Sequence, residues 1–231
     1  MWPFLDRQRM KAARRQAARA AARTAPDSAL ARLLAAPLVP PGTPVGRVPF
    51  LALDLETTGL DPARHAMLSA GCLTVTGGLA DMTSCYHALI RADGPLDGGN
   101  VAIHRITDDA ARDGAPLKTV LDTLLARLTG RVLLAHHAPI ECGFLDAACR
   151  RLYGIGLPLQ AVDTMVLERR RLARRHDDTP PGGLRLDAVR RRYGLPRYGA
   201  HHALTDALAC GEVFLAQCAH MGDGLRLSDI L

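Results

Sequence analysis

The stretch FLALDLETTGLD, from Phe50 to Asp61, constrains this chain most, because it places two carboxylates at the end of an apolar run. Residues i and i+2 of a strand project from the same face, so Asp54 and Glu56 lie side by side, while Leu51, Leu53 and Leu55 point to the other face. Carboxylates this close repel each other and are costly to bury, unless a cation neutralises them. A hard divalent ion such as Mg²⁺ prefers such oxygens. The stretch therefore predicts a metal site at the end of a buried strand, and the alternative is a pair of acids that merely end the strand in solvent.

A second acidic position follows a short apolar strand and a pair of histidines, in LLAHHAPIECGFLDAA at 133–148. Glu141 stands in the first turn of the predicted helix, with Phe144 and Leu145 behind it on the buried side. An acid in a first helical turn is ordinarily explained by the helix dipole. Taken alone, Glu141 therefore predicts only a stabilised helix start.

A third acidic position lies in HHALTDALACGEVFL, at 201–215. Asp206 falls within a predicted helix, and His201 precedes that helix or begins it. Both could simply be helix caps. Together with the first two segments, they supply a fourth carboxylate and a titratable base.

The order of these motifs, D-x-E-T-T-G, then H-H-x-x-x-E-x-x-F-L, then H-x-A-x-x-D, resembles the DEDD exonuclease superfamily. It is most similar to the His-containing, DnaQ-like branch, which is typified by the proofreading epsilon subunits of bacterial DNA polymerase III. The resemblance covers about residues 48–218. Two further segments resemble the family: VAIHRITDDAA at 101–111, which contains His104, and AVDTMVLERR at 161–170, in which Asp163 is interpreted as structural.

The resemblance implies a role for each matched residue. Asp54 would bridge two Mg²⁺ or Mn²⁺ ions, Glu56 and Asp206 would complete the tighter site, and Glu141 would hold the second ion mainly through water. His201 would be the general base. The implied reaction is an in-line attack by metal-activated water on the terminal phosphodiester, which releases a nucleoside 5′-monophosphate.

The resemblance also implies a set of substrate-binding residues: Thr57, Thr58, Gly59, His104 and Phe144. Gly59 would allow the backbone to approach the terminal nucleotide closely. This chain departs from the family in two of the matched positions. Glu141 stands where Asp is usual, which keeps a hard oxygen donor on a longer arm, and His137 stands where Asn is usual.

The pattern of apolar segments predicts an α/β fold with a mixed sheet, because three adjacent strands precede alternating helices and strands. The strands are expected at 48–56, 67–76, 83–91, 131–137 and near 161–164, with GGLAD at 77–81 as a turn. Helices are expected at 116–130, 140–153, 165–175, 184–193 and 203–219. The resemblance specifies this sheet as the ribonuclease H-like one, flanked by helices, with a basic helical extension at the N-terminus.

Three divisions of the chain are expected. Residues 1–47 form a basic Ala/Arg-rich helical arm and a Pro/Gly linker, residues 48–221 form the exonuclease domain, and residues 222–231 form a C-terminal tail. The first 25 residues carry seven basic residues and one acid, and they are interpreted as a solvated, partly amphipathic helix. An arm that binds nucleic acid, an acidic partner or a membrane surface is the alternative.

Charge and cysteine content bound the partners and the compartment. A net charge of +6 favours polyanions, although the excess of Arg over Lys is equally well explained by coding bias. The six cysteines show no zinc-ligand spacing, and no secretory signal is recognisable, so reduced thiols and a cytoplasmic location are expected. No apolar run is long enough to cross a membrane.

Two classes of function remain open at this stage. The first is a metal-dependent 3′–5′ exonuclease acting on the 3′ end of DNA or RNA, alone or bound to a DNA polymerase or another replication or repair protein. The second is a catalytically weakened nucleic-acid-binding or polymerase-accessory module. The Arg-rich segment at 169–192 either contacts phosphates beside the site or is a solvated helix face.

Overall fold

The computed structural model describes residues 7–91, 112–199 and 201–231. The strands are β1 (Phe50–Thr57), β2 (Met67–Thr76), β3 (Leu79–Leu89), β4 (Val132–Ala135) and β5 (Ala161–Asp163). The helices are α1 (Arg7–Thr24), α2 (Ala29–Ala35), α3 (Leu117–Leu128), α4 (Pro139–Tyr153), α5 (Thr164–Arg175), α6 (Leu186–Arg192), α7 (Ala203–Met221) and α8 (Leu227–Ile230), with a 3₁₀ turn at Val45–Arg47. These bounds confirm the predicted mixed α/β order.

The described strands form one sheet in the order β3-β2-β1-β4-β5. The pairs β1–β2 and β2–β3 are antiparallel, whereas β1–β4 and β4–β5 are parallel. The strand predicted at 83–91 is wrong in its start, since β3 begins at Leu79. Gly77 and Gly78 have φ values of 60° and 79° and make a two-residue turn by themselves, so pairing resumes at once.

The sheet separates two apolar layers, and β1 contributes alternate residues to each. Leu51, Leu53 and Leu55 pack in one layer with α1 to α4, whereas Phe50 and Ala52 pack in the other layer with α7. The predicted period of two along β1 is therefore confirmed. It leaves Asp54 and Glu56 on the α7 side of the sheet.

The N-terminal helices are part of the first layer. Met10 and Ala21 of α1 are buried, and five of the seven residues of α2 are buried against the core. The predicted solvated, partly amphipathic helix is therefore exposed on its outer side, whereas its inner side is packed. The sequence reasoning also missed α2, whose N-cap is Ser28, accepting a hydrogen bond from the amide of Ala31 at 3.0 Å.

The residues after α7 are also packed. Leu227 and Ile230 are buried in the second layer, and residue 226 pairs with residue 44 in an isolated antiparallel bridge. The predicted divisions at 47/48 and 221/222 stay predictions. The packing of the described residues is continuous across both.

The sequence predicts that the cysteines are reduced thiols. All six cysteines are free, and four of them are buried. Within the described part of the chain, no helix has both the length and the apolar composition to cross a membrane.

Candidate active site

The carboxylates of β1 stand at the strand end that faces α7. Asp54 pairs in register with Gly71 of β2, and Glu56 pairs with Ser69. The register shifts directly after Glu56, so the chain leaves the ladder at this point. Only 5% of Glu56 is exposed, and Asp54 is half-buried.

Gly71 determines how closely α7 approaches these acids. A Cβ atom at this position would lie 2.1 Å from the backbone nitrogen of Leu204 and 2.3 Å from the carbonyl carbon of Ala203. Only a residue without a side chain therefore lets the first turn of α7 rest on β2. The sequence reasoning missed this residue, although a glycine inside an apolar strand is a known sign of close backbone approach.

The consequence of this approach is a cluster of three acids. One carboxylate oxygen from each of Asp54, Glu56 and Asp206 lies within 4.8 Å of the other two. Residues more than 150 positions apart in the chain thus form one group of hard oxygen donors. The three predicted residues are brought together by the fold.

Glu141 adjoins this cluster from the first turn of α4. It is 3% exposed, and its Oε2 atom is buried without a hydrogen-bond partner among the described residues. Burial raises the pKa of Asp54, and the charge of Glu141 raises it further. Glu141 is not in the compact group of three, so its predicted role as a metal ligand stays a prediction.

Asp163 fixes the start of α4. Its carboxylate accepts hydrogen bonds from the amides of His137 at 3.0 Å and Ala138 at 3.1 Å, and it caps α5 through the amide of Met165 at 2.9 Å. His137 has a φ of 77°, a left-handed conformation that turns the chain from β4 into α4. The interpretation of Asp163 as structural agrees with these hydrogen bonds.

The neighbouring His136 ties the end of β4 to two other segments. Its Nδ1 lies 2.8 Å from the hydroxyl of Thr164, and its Nε2 lies 2.8 Å from the carbonyl oxygen of Leu184. Burial lowers the pKa of this histidine, so the neutral ring is favoured, with Nε2–H as donor to the carbonyl. His136 thus serves structure rather than proton transfer.

Burial raises the pKa of every carboxyl group in the site. It raises the pKa of Glu56 to about 7 and that of Glu141 to about 8. It raises the pKa of Asp54 well above its usual value, assisted by the charges of Glu141, Glu56 and Asp206, and it also raises the pKa of Asp206. Without a cation, Glu56 and Glu141 are therefore partly or mostly protonated at neutral pH. A divalent ion would remove this penalty, and the donors present fit one.

His201 lies at the edge of the cluster, just before α7. Its backbone amide donates a hydrogen bond to Asp206 at 2.8 Å, and its φ of 67° is left-handed. Its ring is exposed, and a positive charge on it would lower the pKa of Glu56 and Asp206. The predicted base is therefore close to the acids, although its role in proton transfer stays a prediction.

The loop that leads to His201 is held by α6 and α7. The guanidinium of Arg190 donates to the carbonyl oxygens of Pro196 at 2.7 Å and Ala209 at 3.0 Å. The hydroxyl of Tyr198 donates to Glu212 at 2.9 Å. These contacts restrict the approach of the chain to the start of α7.

Two histidines beside the site were missed by the sequence reasoning. His202 is the N-cap of α7, and its ring stacks on that of His87 in β3 with centroids 4.5 Å apart. Burial and the charge of His202 lower the pKa of His87. The sequence does not indicate this contact, because it depends on how β3 packs against the start of α7.

The turn after β1 is closed by its own hydrogen bonds. The hydroxyl of Thr57 donates to the carbonyl oxygen of Gly59 at 2.8 Å, while Thr58 exchanges two hydrogen bonds with Ala66 at 2.9 and 3.0 Å. A Cβ atom on Gly59 would lie 2.5 Å from the ring of His65. A side chain at this position would therefore require the ring of His65 to move. The substrate contacts of this turn stay predictions.

The two remaining predicted substrate contacts differ in status. Phe144 is 2% exposed and belongs to the first apolar layer. Its burial accounts for an apolar residue there, so its contact with substrate stays a prediction that the packing does not favour. His104 lies outside the described residues.

A five-stranded mixed sheet with a cluster of carboxylates where β1 meets α7 defines an α/β domain with a candidate metal site. A family model described as Exonuclease matches residues 51–214, which is most of the chain, and the chain therefore belongs to this family.

Relatives in sequence include replication proteins. The chain is 30% identical over 173 residues to DNA polymerase III subunit epsilon of Haemophilus influenzae, a match that covers 71% of this chain and 65% of that protein. It is 29% identical over 170 residues to the PolC-type DNA polymerase III of Thermotoga maritima, which covers 74% of this chain and 12% of that protein. The chain thus spans between about an eighth and two thirds of the length of these relatives.

Solved structures share the fold. Exonuclease I of E. coli, in a zinc-bound complex with single-stranded DNA, superposes with a TM-score of 0.64 at 18% identity, over 74% of this chain and 40% of that one. Cell-death related nuclease 4 superposes with a TM-score of 0.66 at 14% identity, over 77% of this chain and 66% of that one. These likenesses confirm the predicted ribonuclease H-like fold.

Proposed function

We propose that this protein is a metal-dependent 3′–5′ exonuclease that releases nucleoside 5′-monophosphates from the end of a nucleic-acid strand. The observation that carries the proposal is the cluster of Asp54, Glu56 and Asp206, whose carboxylate oxygens lie within 4.8 Å of one another. The raised pKa values of these acids show that the cluster is poorly stabilised without a cation. Membership of the Exonuclease family supplies the reaction class.

Each residue has a proposed task. Asp54, Glu56 and Asp206 would hold one divalent ion, and Glu141 would share a second with Asp54 through its unpartnered Oε2 atom. Bound Mg²⁺ or Mn²⁺ would supply an activated water and would neutralise charge on the phosphate and the leaving oxygen. His201 would accept the proton of the attacking water from its exposed position beside Asp206.

The turn after β1 would receive the terminal nucleotide. Its internal hydrogen bonds through Thr57 and Thr58 preorganise the backbone before substrate arrives. A preformed turn lowers the entropy lost on binding.

The names of two matched proteins support further parts of the proposal. One relative is a DNA polymerase III subunit, and one structural neighbour is a complex with single-stranded DNA. We therefore propose a single-stranded 3′ end as substrate and a DNA polymerase or another replication or repair protein as partner. The cytoplasmic location remains a prediction.

The assay uses a 5′-labelled single-stranded oligonucleotide with Mg²⁺ or Mn²⁺, and the variant Asp206→Asn as control. A 3′–5′ exonuclease gives a ladder that shortens progressively from full length, whereas cleavage from the 5′ end gives only labelled mononucleotide. Chromatography of the products identifies the 5′-monophosphates. DNA and RNA strands of the same sequence decide between the two substrates.

A second function is favoured by one observation, the position of Glu141 outside the compact group of three acids. A weakened second metal site would leave a nucleic-acid-binding or polymerase-accessory module. In the same assay, such a module would bind the oligonucleotide without shortening it. That result with folded wild-type protein and either ion would refute the exonuclease proposal.

A further inference from the structure

The outer face of α1 carries a regular row of cations, which we call the basic ridge. It consists of Lys11, Arg15, Arg19 and Arg23, all of them exposed. Four residues of α-helix rise about 6 Å, so the ridge is about 18 Å long, with nearly even spacing. Successive charges of the ridge are neighbours on the helix surface, in a row that is inclined to the helix axis.

The charges of the ridge are not compensated within the described part of the chain. The helix from Arg7 to Thr24 contains no acidic residue. None of the four ridge side chains makes an ion pair or a hydrogen bond with another described residue. Like charges at i and i+4 destabilise a helix, so the stability of α1 does not explain this pattern.

The ridge is held in one orientation by the opposite side of the helix. Arg14 is 8% exposed, and its guanidinium donates to the carbonyl oxygens of Pro158 at 3.2 Å, Ala36 at 3.1 Å and Leu33. Met10 and Ala21 are buried on the same side. Because α1 cannot rotate without removing Arg14 from these acceptors, the ridge points away from the core.

The composition of α1 selects the class of partner. A helix that lies on a membrane needs a free apolar face, but the apolar side of α1 is already packed against the core. A protein partner needs large apolar or aromatic anchors, whereas the exposed positions around the ridge are small or polar. These positions are Gln8, Arg9, Ala12, Gln16, Ala22 and Thr24. A phosphate backbone needs only spaced positive charges.

We propose that the basic ridge binds the phosphate backbone of nucleic acid, at a second contact separate from the acid cluster. The helix belongs to the layer on the leucine face of β1, whereas Asp54 and Glu56 lie on the other face. The ridge therefore does not contribute to the acid cluster itself. It anchors the strand without reading its sequence, and its contribution weakens as salt rises.

The test compares two fourfold variants by fluorescence anisotropy with labelled 30-nucleotide single strands and 30-base-pair duplexes, in EDTA, between 50 and 200 mM NaCl. The variant K11Q/R15Q/R19Q/R23Q removes the charges, and glutamine keeps the helix propensity. The variant K11R/R15K/R19K/R23K keeps the charges. With four contacts, neutralisation flattens the slope of log K against log salt by about 3 for single strands and somewhat more for duplexes.

The charge-conserving variant is expected to bind as the wild type does. A wild-type slope in the glutamine variant would refute the proposal. An equal loss of oligonucleotide affinity in both fourfold variants would also refute it. If the glutamine variant loses binding to anionic phospholipid vesicles but not to oligonucleotides, the partner is a lipid surface and the proposal is wrong. Should the fourfold glutamine variant unfold, R15Q/R19Q is measured instead, with about half the change in slope expected.

Turnover of a small substrate separates this proposal from the proposed function. Hydrolysis of the p-nitrophenyl ester of thymidine 5′-monophosphate with Mn²⁺ involves the acid cluster alone, so the ridge variants are expected to keep the wild-type rate. If the wild type neither hydrolyses this ester nor shortens the oligonucleotide but the slope still changes, the exonuclease proposal fails and the ridge proposal stands. If the ridge variants hydrolyse the ester at the wild-type rate and the slope does not change, the ridge proposal fails and the exonuclease proposal stands.

Discussion

The substitution Glu56→Gln tests whether the acid cluster is poorly stabilised without metal. Glu56 ionises in the folded protein with a pKa of about 7, against 4.5 for the free side chain. Between these values the folded state binds more protons than the unfolded state, so the stability of the metal-free wild type falls as pH rises through this window. A neutral amide does not titrate, and its contribution to stability stays constant.

The magnitude follows from the size of the shift. Because one pKa unit corresponds to about 1.36 kcal/mol, ionising Glu56 costs the fold roughly 3 kcal/mol above pH 8, most of which develops after pH 5. We therefore expect the free energy of unfolding of E56Q, relative to wild type, to rise by about 2–3 kcal/mol between pH 5 and pH 8.5. Taking the difference between two pH values cancels the altered packing and hydrogen bonding of the amide.

The assay is urea unfolding in EDTA at both pH values, followed by circular dichroism. The control is Asp223→Asn in the exposed turn after α7, where the change is expected to stay within about 0.5 kcal/mol at both values. A relative stability of E56Q that is the same at pH 5 and pH 8.5 would refute the reasoning. In a parallel measurement, saturating Mn²⁺ at pH 8.5 should raise the Tm of the wild type but raise that of E56Q much less.

The remaining predictions concern the other parts of the site. Asp206→Asn should abolish nuclease turnover in the oligonucleotide assay. Thermal unfolding should show that the metal-free variant is at least as stable as the wild type at pH 8. Turnover at the wild-type rate would remove this residue from the site. His201→Gln should lower kcat by about 10²–10⁴-fold and leave the Mn²⁺-induced rise in Tm intact, whereas loss of that rise would make it a metal ligand instead. Gly71→Ala should destabilise the fold by about 1–3 kcal/mol or more, because its Cβ meets the backbone of α7, while Gly46→Ala, with open space around its Cβ, should change stability little. Equal stability of these two alanine variants in urea would contradict the close packing of β2 on α7.

Local periodicity determined much of the architecture in advance. The side-by-side position of Asp54 and Glu56 follows from the two-residue period of a strand, and the leucine face opposite them is confirmed. The helix predicted at 140–153 begins at Pro139, and its first turn carries Glu141 as expected. These features depend on neighbours within a few residues, which the sequence displays directly.

The sequence by itself therefore determined the mixed sheet, the type of most elements and the identity of the acids. Tertiary structure alone decided that Asp206 reaches the end of β1, because this depends on the absence of a side chain at Gly71 in another strand. Only the tertiary structure shows that α1 packs inward through Arg14. The sequence indicates a solvated basic segment there, because it does not display the carbonyl oxygens that accept hydrogen bonds from this side chain. The pKa values of the acids also depend on the tertiary structure, because burial and the proximity of distant charges raise them, and both arise only when the chain folds.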